Sequence, residues 1–424
     1  MQKLINFLET SYTAYHAVDN AKKALLENGF LPLSERDNWK IEKGRKYFVD
    51  RESALIAFTV GNSTEDYSFS IIASHLDSPA LKVKQNPFIK TEGYYKLNVE
   101  KYGGGILYSL LDRPLKLAGR VIVETENGSI ASKVCVSDYT VSIPSLAIHM
   151  NRNVNDGLSL NAQVDMCPLF SLANETAPDL FKGITSETVV DYDLFVVNTD
   201  PAFYFGSNQE FIASPRVDNL TSAYASLNAL VNSKNENGIQ VIALFDSEEI
   251  GNQTTEGAAS DFLDCVLKRT ATALGLNETQ FNQAIAKSFF LSLDVAHAVH
   301  PNHPEKHDPT NRPVLGGGIV IKYNSNKAYV TDAKSAAVLK TIFTKSNVNY
   351  QVFFNRSDAL GGSTLGRSAL TRTAMLGADI GLAQLAMHSA TETFAASDYV
   401  ELEKGLLAFF QTNLKFLGNE IVIS

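Results

Sequence analysis

Cysteine is scarce. The chain has three in 424 residues, at positions 135, 167 and 265, an odd number too widely spaced for a disulfide framework or a CxxC metal pair. A reducing compartment suits that usage, so the cytoplasm is the expected location. Long apolar runs are also missing. Nothing approaches the roughly 20 apolar residues of a membrane span. The first residues, Met1 to Val18, mix Leu4, Ile5, Phe7 and Leu8 with Asn6, Glu9 and Thr10, which predicts a helix rather than a signal peptide. A surplus of positive charge is absent too: 37 Lys and Arg stand against 46 Asp and Glu, for a net charge of -9. Such a chain has no bulk attraction for phosphate backbones or anionic lipid, so neither nucleic acid nor a membrane is an expected partner. Internal repeats and low-complexity segments are lacking as well. What remains is a composition that is 45% hydrophobic, ample for a large core spread over two or three domains of about 150 residues each.

The two ends of the chain alternate strand and helix patterns. Leu220, Ala223, Tyr224, Leu227, Leu230 and Val231 recur at helical spacing, Ile239 to Phe245 is an unbroken apolar run, and Tyr350 to Phe354 follows a helical stretch closed by Thr341, Ile342 and Phe343. Near the end, Asp398 and Glu401 have capping-box spacing ahead of an amphipathic helix carrying Val400, Leu402, Leu406, Phe409, Phe410 and Leu414. This alternation predicts an α/β fold with a mixed, mostly parallel sheet flanked by helices. The middle is different. Lys82–Lys84 and Lys96–Glu100 alternate polar and apolar residues, and Asn127-Gly128 between Arg120–Val123 and Ile130–Val136 signals a hairpin. The expected organisation is a catalytic domain of residues 1–82 and 214–424, with an all-β domain, a small barrel, inserted at 83–213.

Three apolar runs each finish on residues that bind metals. Phe69 to Ser74 leads to His75-Leu76-Asp77, Ile239 to Phe245 to Asp246-Ser247-Glu248-Glu249, and Phe289 to Leu293 to Asp294. The carboxyl ends of parallel strands share one edge of a sheet, where open α/β folds bind ligands. Imidazole with carboxylate suits zinc, with a coordination position left for water. A pair of ions about 3.5–4 Å apart asks for about five such ligands, one of them bridging. Taken singly, each position has an ordinary explanation. A histidine after a strand is most often packed or solvated, paired glutamates suit a helix N-terminus, and a strand-end aspartate suits a turn. The joint pattern is what carries weight. The dense run His297, His300, His303 and His307 is broken by Pro301 and Pro304, so it is expected to form a loop beside the site rather than a helical metal tract.

Five segments, Ser74-His75-Leu76-Asp77-Ser78-Pro79, Arg216-Val217-Asp218-Asn219-Leu220, Asp246-Ser247-Glu248-Glu249-Ile250-Gly251, Asp294 through Asn302, and Leu385-Ala386-Met387-His388-Ser389, occur in this order over nearly the whole chain. Together they resemble the motifs of the aspartyl aminopeptidase family, in its bacterial form. The resemblance implies a zinc-dependent aminopeptidase that releases N-terminal Asp or Glu from peptides with a free N-terminus. Two divalent ions, zinc or else manganese or cobalt, would be held by His75 and Asp294 on one side and Glu249 and His388 on the other. Asp218 would bridge them, with a cis peptide to Asn219. Asp77 would orient His75, and Glu248 would be the general base acting on the shared water. Lys322, in Ile321-Lys322-Tyr323-Asn324-Ser325, would meet an acidic substrate side chain, with Tyr329 nearby. His149, in Ile143-Pro144-Ser145-Leu146-Ala147-Ile148-His149, would reach a neighbouring subunit's site within a tetrahedral dodecamer. Ser11 to Val18 and Ala359 to Thr364 depart from the family's eukaryotic pattern. Two other enzyme readings stand beside this one: a broad-specificity aminopeptidase, and a carboxypeptidase or amide deacylase using Arg216, Arg356 or Arg367 as a carboxylate clamp. The non-enzyme reading is a scaffold with a dead site.

Overall fold

The computed structural model describes residues 1–63, 67–173, 176 and 178–424. Its spine is a nine-stranded sheet in the spatial order 31–32, 46–50, 55–60, 239–245, 69–75, 289–293, 376–381, 319–323, 350–354. The four central strands, Ile239–Phe245, Phe69–His75, Phe289–Leu293 and Leu376–Gly381, run parallel. Antiparallel pairs flank them on both sides, so the sheet is mixed as the sequence pattern predicts. Ile239–Phe245 and Phe289–Leu293 are buried at every position, because helices cover both faces, as in α/β sheets generally. On one face pack the helices Gln2–Thr10, Ala14–Glu27, Val217–Asn232, Ala333–Lys345 and Ala396–Gln411; on the other, Phe262–Ala273, Glu278–Ala286 and Leu365–Thr373. Each leucine or phenylalanine sealed this way contributes about 1.5–3 kcal/mol relative to exposure. No helix among the described residues is long and apolar enough to cross a membrane.

Between the strands that end at His75 and begin at Ile239, the chain leaves this sheet. Six strands, in the order 130–136, 115–124, 189–198, 80–91, 94–102, 169–172, form an antiparallel sheet around their own core of Leu81, Val83, Leu97, Leu117, Val121 and Leu194. Bridges from Val141 to Leu115 and from Ser142 to Leu169 join its far strand back to Leu115–Glu124, which closes a small barrel. Asn127 and Gly128 lie in the turn between Leu115–Glu124 and Ile130–Val136, and Gly128 takes the left-handed conformation at φ 77. The chain after Asn198 does not stay with the barrel. Phe203–Phe205 and Phe211–Ser214 join a five-stranded sheet with Glu392–Ala395, Ala383–Leu385 and Ala296–His297.

One expectation fails locally. The last long helix runs from Ala396 to Gln411, so Asp398 lies inside its first turn instead of capping it. The Asp398 carboxylate accepts hydrogen bonds from the amides of Gly316 and Gly318, and Glu401 accepts one from Asn349. Tertiary partners outcompete the local cap. Leu414 starts a terminal hairpin rather than extending the helix.

Candidate metal centre

The register of the sheet assembles the site. Phe245 pairs with His75 across adjacent parallel strands, and the strand Phe289–Leu293 lies on the other side of Phe69–His75. His75, the Asp246–Glu249 turn and Asp294 therefore emerge on one edge. Asp218 arrives from the start of the helix after Phe211–Ser214, and its peptide bond to Asn219 is cis. His388 comes from the loop between Ala383–Leu385 and Glu392–Ala395, with φ 66.

The donor atoms form two groups that share Asp218. His75 Nε2 lies 3.3 Å from Asp218 Oδ1 and 3.5 Å from Asp294 Oδ1. His388 Nε2 lies 3.4 Å from Asp218 Oδ2 and 3.3 Å from Glu249 Oε1. With bond lengths near 2.0–2.1 Å, donors around a tetrahedral zinc stand about 3.4 Å apart, so each group has the spacing of ligands around one ion. Asp218 Oδ1 and Glu249 Oε1 are buried and accept no hydrogen bond, which is costly for a carboxylate oxygen unless a cation meets it. The charge balance agrees. Burial, together with neighbouring carboxylates and against the pull of the two imidazoles, pushes Glu249 up to about 9. Burial likewise pushes Glu248 up to about 8, opposed by His75 and reinforced by Asp294, Asp218 and Asp77. Burial lowers the His388 imidazole, but Asp218 and Glu249 outweigh it and raise it to about 10. A pocket this rich in carboxylate fits a cation.

Two buried carboxylates brace these residues from behind. Asp77 accepts the backbone amides of Glu248 and Glu249, each at 3.1 Å, and the hydroxyl of Tyr102 at 2.8 Å. His75 Nδ1 meets the Asp77 carbonyl at 3.1 Å, with the Asp77 carboxylate at 3.4 Å. Glu392 does the same for two further candidate ligands, accepting the amide of Asp218 at 2.9 Å and that of His388 at 2.6 Å. The barrel completes the surround. The carbonyl of Gly104 faces His388 Nδ1 at 3.1 Å, and a Cβ at Gly103 would fall 3.0 Å from the Cβ of Glu249. Sequence reasoning missed Glu392 and the approach of Gly103 and Gly104 to the site. No periodicity marks either.

Other residues singled out by the sequence lie around this centre. Lys322 is only 2% exposed. Its ammonium donates to the carbonyls of Asp294 at 2.9 Å and Val295 at 3.1 Å, lies 3.9 Å from Asp294 Oδ2, and sits 5.1 Å from the ring of Tyr329. Tyr329 is buried against Phe353. His297, His300 and His307 line a pocket with Lys306, Arg356 and Gln384, and none of the four histidines of that run joins a candidate ligand group among the described residues. His149 is not brought to the ligands within its own chain. It stands exposed on the barrel beside exposed Leu146, Ile148 and Met150. Arg216 donates to the carbonyls of Asn198 and Leu8, Arg356 pairs with Asp358, and Arg367 is exposed.

Comparison with known proteins agrees with this geometry. Residues 7–410 match the family model described as aminopeptidase I zinc metalloprotease (M18). A protein named probable M18 family aminopeptidase 2 from Clostridium acetobutylicum is 43% identical, over 96% of this chain and 98% of that one. A probable aspartyl aminopeptidase from Ricinus communis is 34% identical, over 99% and 96%. Among solved structures, Ape4 in its complex with Nbr1 superposes with a TM-score of 0.92 at 35% identity, covering 97% of this chain and 85% of that one. The S. cerevisiae mApe1 dodecamer gives 0.84 at 26%, covering 97% and 96%. The chain is a member of the M18 family of aminopeptidases.

Proposed function

We propose that this aminopeptidase holds two zinc ions and preferentially releases acidic residues from the N-termini of peptides. The observation that carries the reading is the pair of donor groups sharing Asp218, with the Glu248 carboxylate grouped beside His75 and Glu249. His75 and Asp294 would hold one ion and Glu249 and His388 the other, with Asp218 common to both donor groups, while Asp77 fixes the turn that carries Glu248. Bound zinc supplies Lewis acidity toward the scissile carbonyl and a water that gives up its proton near neutral pH. Glu248 takes that proton and delivers it to the departing amine. Its burial favours a proton-accepting group with a pKa above the ordinary carboxylate range, as general bases require.

Acidic preference is supported by Lys322 and by the neighbouring pocket. Two of the three ammonium hydrogens of Lys322 are engaged by carbonyls, and the third is claimed by no hydrogen bond among the described residues, the Asp294 carboxylate lying 3.9 Å away; that third hydrogen would meet a substrate carboxylate, with Tyr329 shaping the wall. The pocket with His297, His300, Lys306 and His307 has no acidic lining residue. His149, outward-facing among apolar neighbours, serves the site of a second copy in a tetrahedral dodecamer, an assembly size supported by the mApe1 relative. The free thiols Cys135, Cys167 and Cys265 agree with action in the cytoplasm. The carboxypeptidase or deacylase reading is less favoured, because Arg216 and Arg356 already have partners.

The test is hydrolysis of unblocked aminoacyl substrates, with chelator and with zinc, manganese or cobalt restored. Chelator-sensitive release of Asp or Glu supports the whole reading, whereas release of neutral residues alone removes the acidic preference. Lys322→Ala is expected to reduce turnover of acidic substrates more than of neutral ones. Equal loss on both excludes Lys322 as the specificity residue.

A further inference from the structure

The two donor groups are built differently. The inner group, His75 and Asp294 with Asp218 Oδ1, springs from the buried sheet edge, and the His75 side chain is 1% exposed. The outer group joins Glu249, from the sheet edge and 3% exposed in its side chain, and Asp218 Oδ2 to His388, which lies where the barrel meets the catalytic domain and whose side chain is 30% exposed. His388 has no strand to hold it. It sits in a loop with Ala386 and itself at positive φ, a conformation that costs a side-chain-bearing residue energy and persists only when neighbours enforce it.

The enforcement is visible. Glu392 takes the His388 amide on Oε1 and the Asp218 amide on Oε2, so one carboxylate spaces the outer ligand against the shared one. From the barrel, Gly104 takes the ring nitrogen of His388, the Ile106 amide donates to the His388 carbonyl, the Ser109 hydroxyl accepts the Ala390 amide, and Asn198 donates to the Ala390 carbonyl. No such clamp on the backbone of His75 or Asp294 involves Glu392 or the barrel among the described residues. Those two ligands are placed by strand pairing and by the hydrogen bond of the Asp294 amide to Ile380.

We infer that Glu392 is a positioning residue that acts more on the outer metal position, where it holds both His388 and Asp218, than on the inner one, where it reaches only the shared Asp218, and that the outer position, held by the clamp at the domain junction, gives up its ion before the inner one does. The inference rests on the two-ion reading above. Outer-lying partners that orient metal ligands typically govern affinity by about 10–100-fold, and here that leverage falls unequally on the two positions.

The experiment is a zinc titration of the stripped full-length protein against a chromogenic chelator, for the wild type, Glu392→Gln and Glu392→Ala. Thermal unfolding is followed with and without metal. Wild type is expected to take two ions, one more weakly. Glu392→Gln keeps the shape of the side chain and one accepting oxygen, and is expected to weaken the weaker site by about tenfold and the tighter site by clearly less. Glu392→Ala is expected to weaken the weaker site by about a hundredfold. The activity of Glu392→Gln should return when zinc is raised, with its metal-free unfolding midpoint unchanged, a recovery that a general folding defect would not give. Two ions in wild type with equal weakening of both sites, or of neither, in Glu392→Gln overturns the inference and leaves the two-ion reading standing. A single ion in wild type overturns both, and is seen before any variant is made.

Discussion

The central sheet and the inserted barrel bury their strands in different ways, and they serve the site differently. Ile239–Phe245 is buried at every position, between two layers of helices. Tyr94–Tyr102 alternates between buried and more exposed positions, with only one face toward a core. A strand sealed on both faces is fixed along its whole length, and the sheet uses that rigidity to present His75, Glu249 and Asp294 from its edge. The barrel presents no candidate ligand to its own chain's site among the described residues. It supplies backbone, through Gly104 and Ile106. Chemistry comes from the ends of the stiff strands, and adjustment comes from the domain beside them.

Four tests sharpen or break this contrast. The largest effect is expected for Glu248→Gln, which should lower kcat by roughly 10²–10⁴-fold with metal content and unfolding midpoint unchanged. Retained activity, measured on an unblocked aminoacyl substrate, removes Glu248 as the base. Next come paired cavity mutants. Leu291→Ala in the central sheet and Leu97→Ala in the barrel, both fully buried, should each cost about 2–5 kcal/mol in denaturant unfolding. Only Leu291→Ala should also weaken metal binding. If Leu97→Ala weakens it equally, the division of labour fails.

A smaller effect tests the seam between the domains. Burial, helped by the positive charge of Arg216, lowers the His16 imidazole to about 4, and the ring also meets the hydroxyl of Thr13. Above about pH 6.5 neither the folded nor the unfolded chain protonates it. Between about 6.5 and 4 the unfolded chain binds a proton that the folded one resists, so stability falls as pH drops through that window. Replacing His16 with Asn should flatten that part of the stability profile, and an unchanged slope would assign the loss to other groups. The smallest effect is expected at Lys133→Ala, which removes the exposed pair with Glu187 on the barrel's outer strands. The expected loss is about 0–1 kcal/mol, read from the midpoint of thermal unfolding, and a larger one would mean that this face is covered in the assembled enzyme.

The legible part of the molecule follows the same division. Strands ending in His75, Glu248-Glu249 and Asp294 were readable because an apolar run followed by a ligand-type residue is a local pattern, and parallel pairing carries it to one edge. The α/β class was readable for the same reason. Asp218 and His388 were not, since one begins a helix and the other sits in an irregular loop; a family resemblance had to supply them. Asp398 misled because its cap-like spacing is local, while its partners, Gly316 and Gly318, are distant. Glu392 stayed hidden because its function is to hold two backbone amides, and no side-chain pattern announces that.

Gly103 has a consequence for how freely the two domains can vary. It has φ 72, and any side chain there would press on Glu249. A survey of substitutions along the barrel should therefore find one intolerant position on this turn, where alanine displaces the neighbouring domain's Glu249, a candidate metal ligand, and leaves the barrel itself folded.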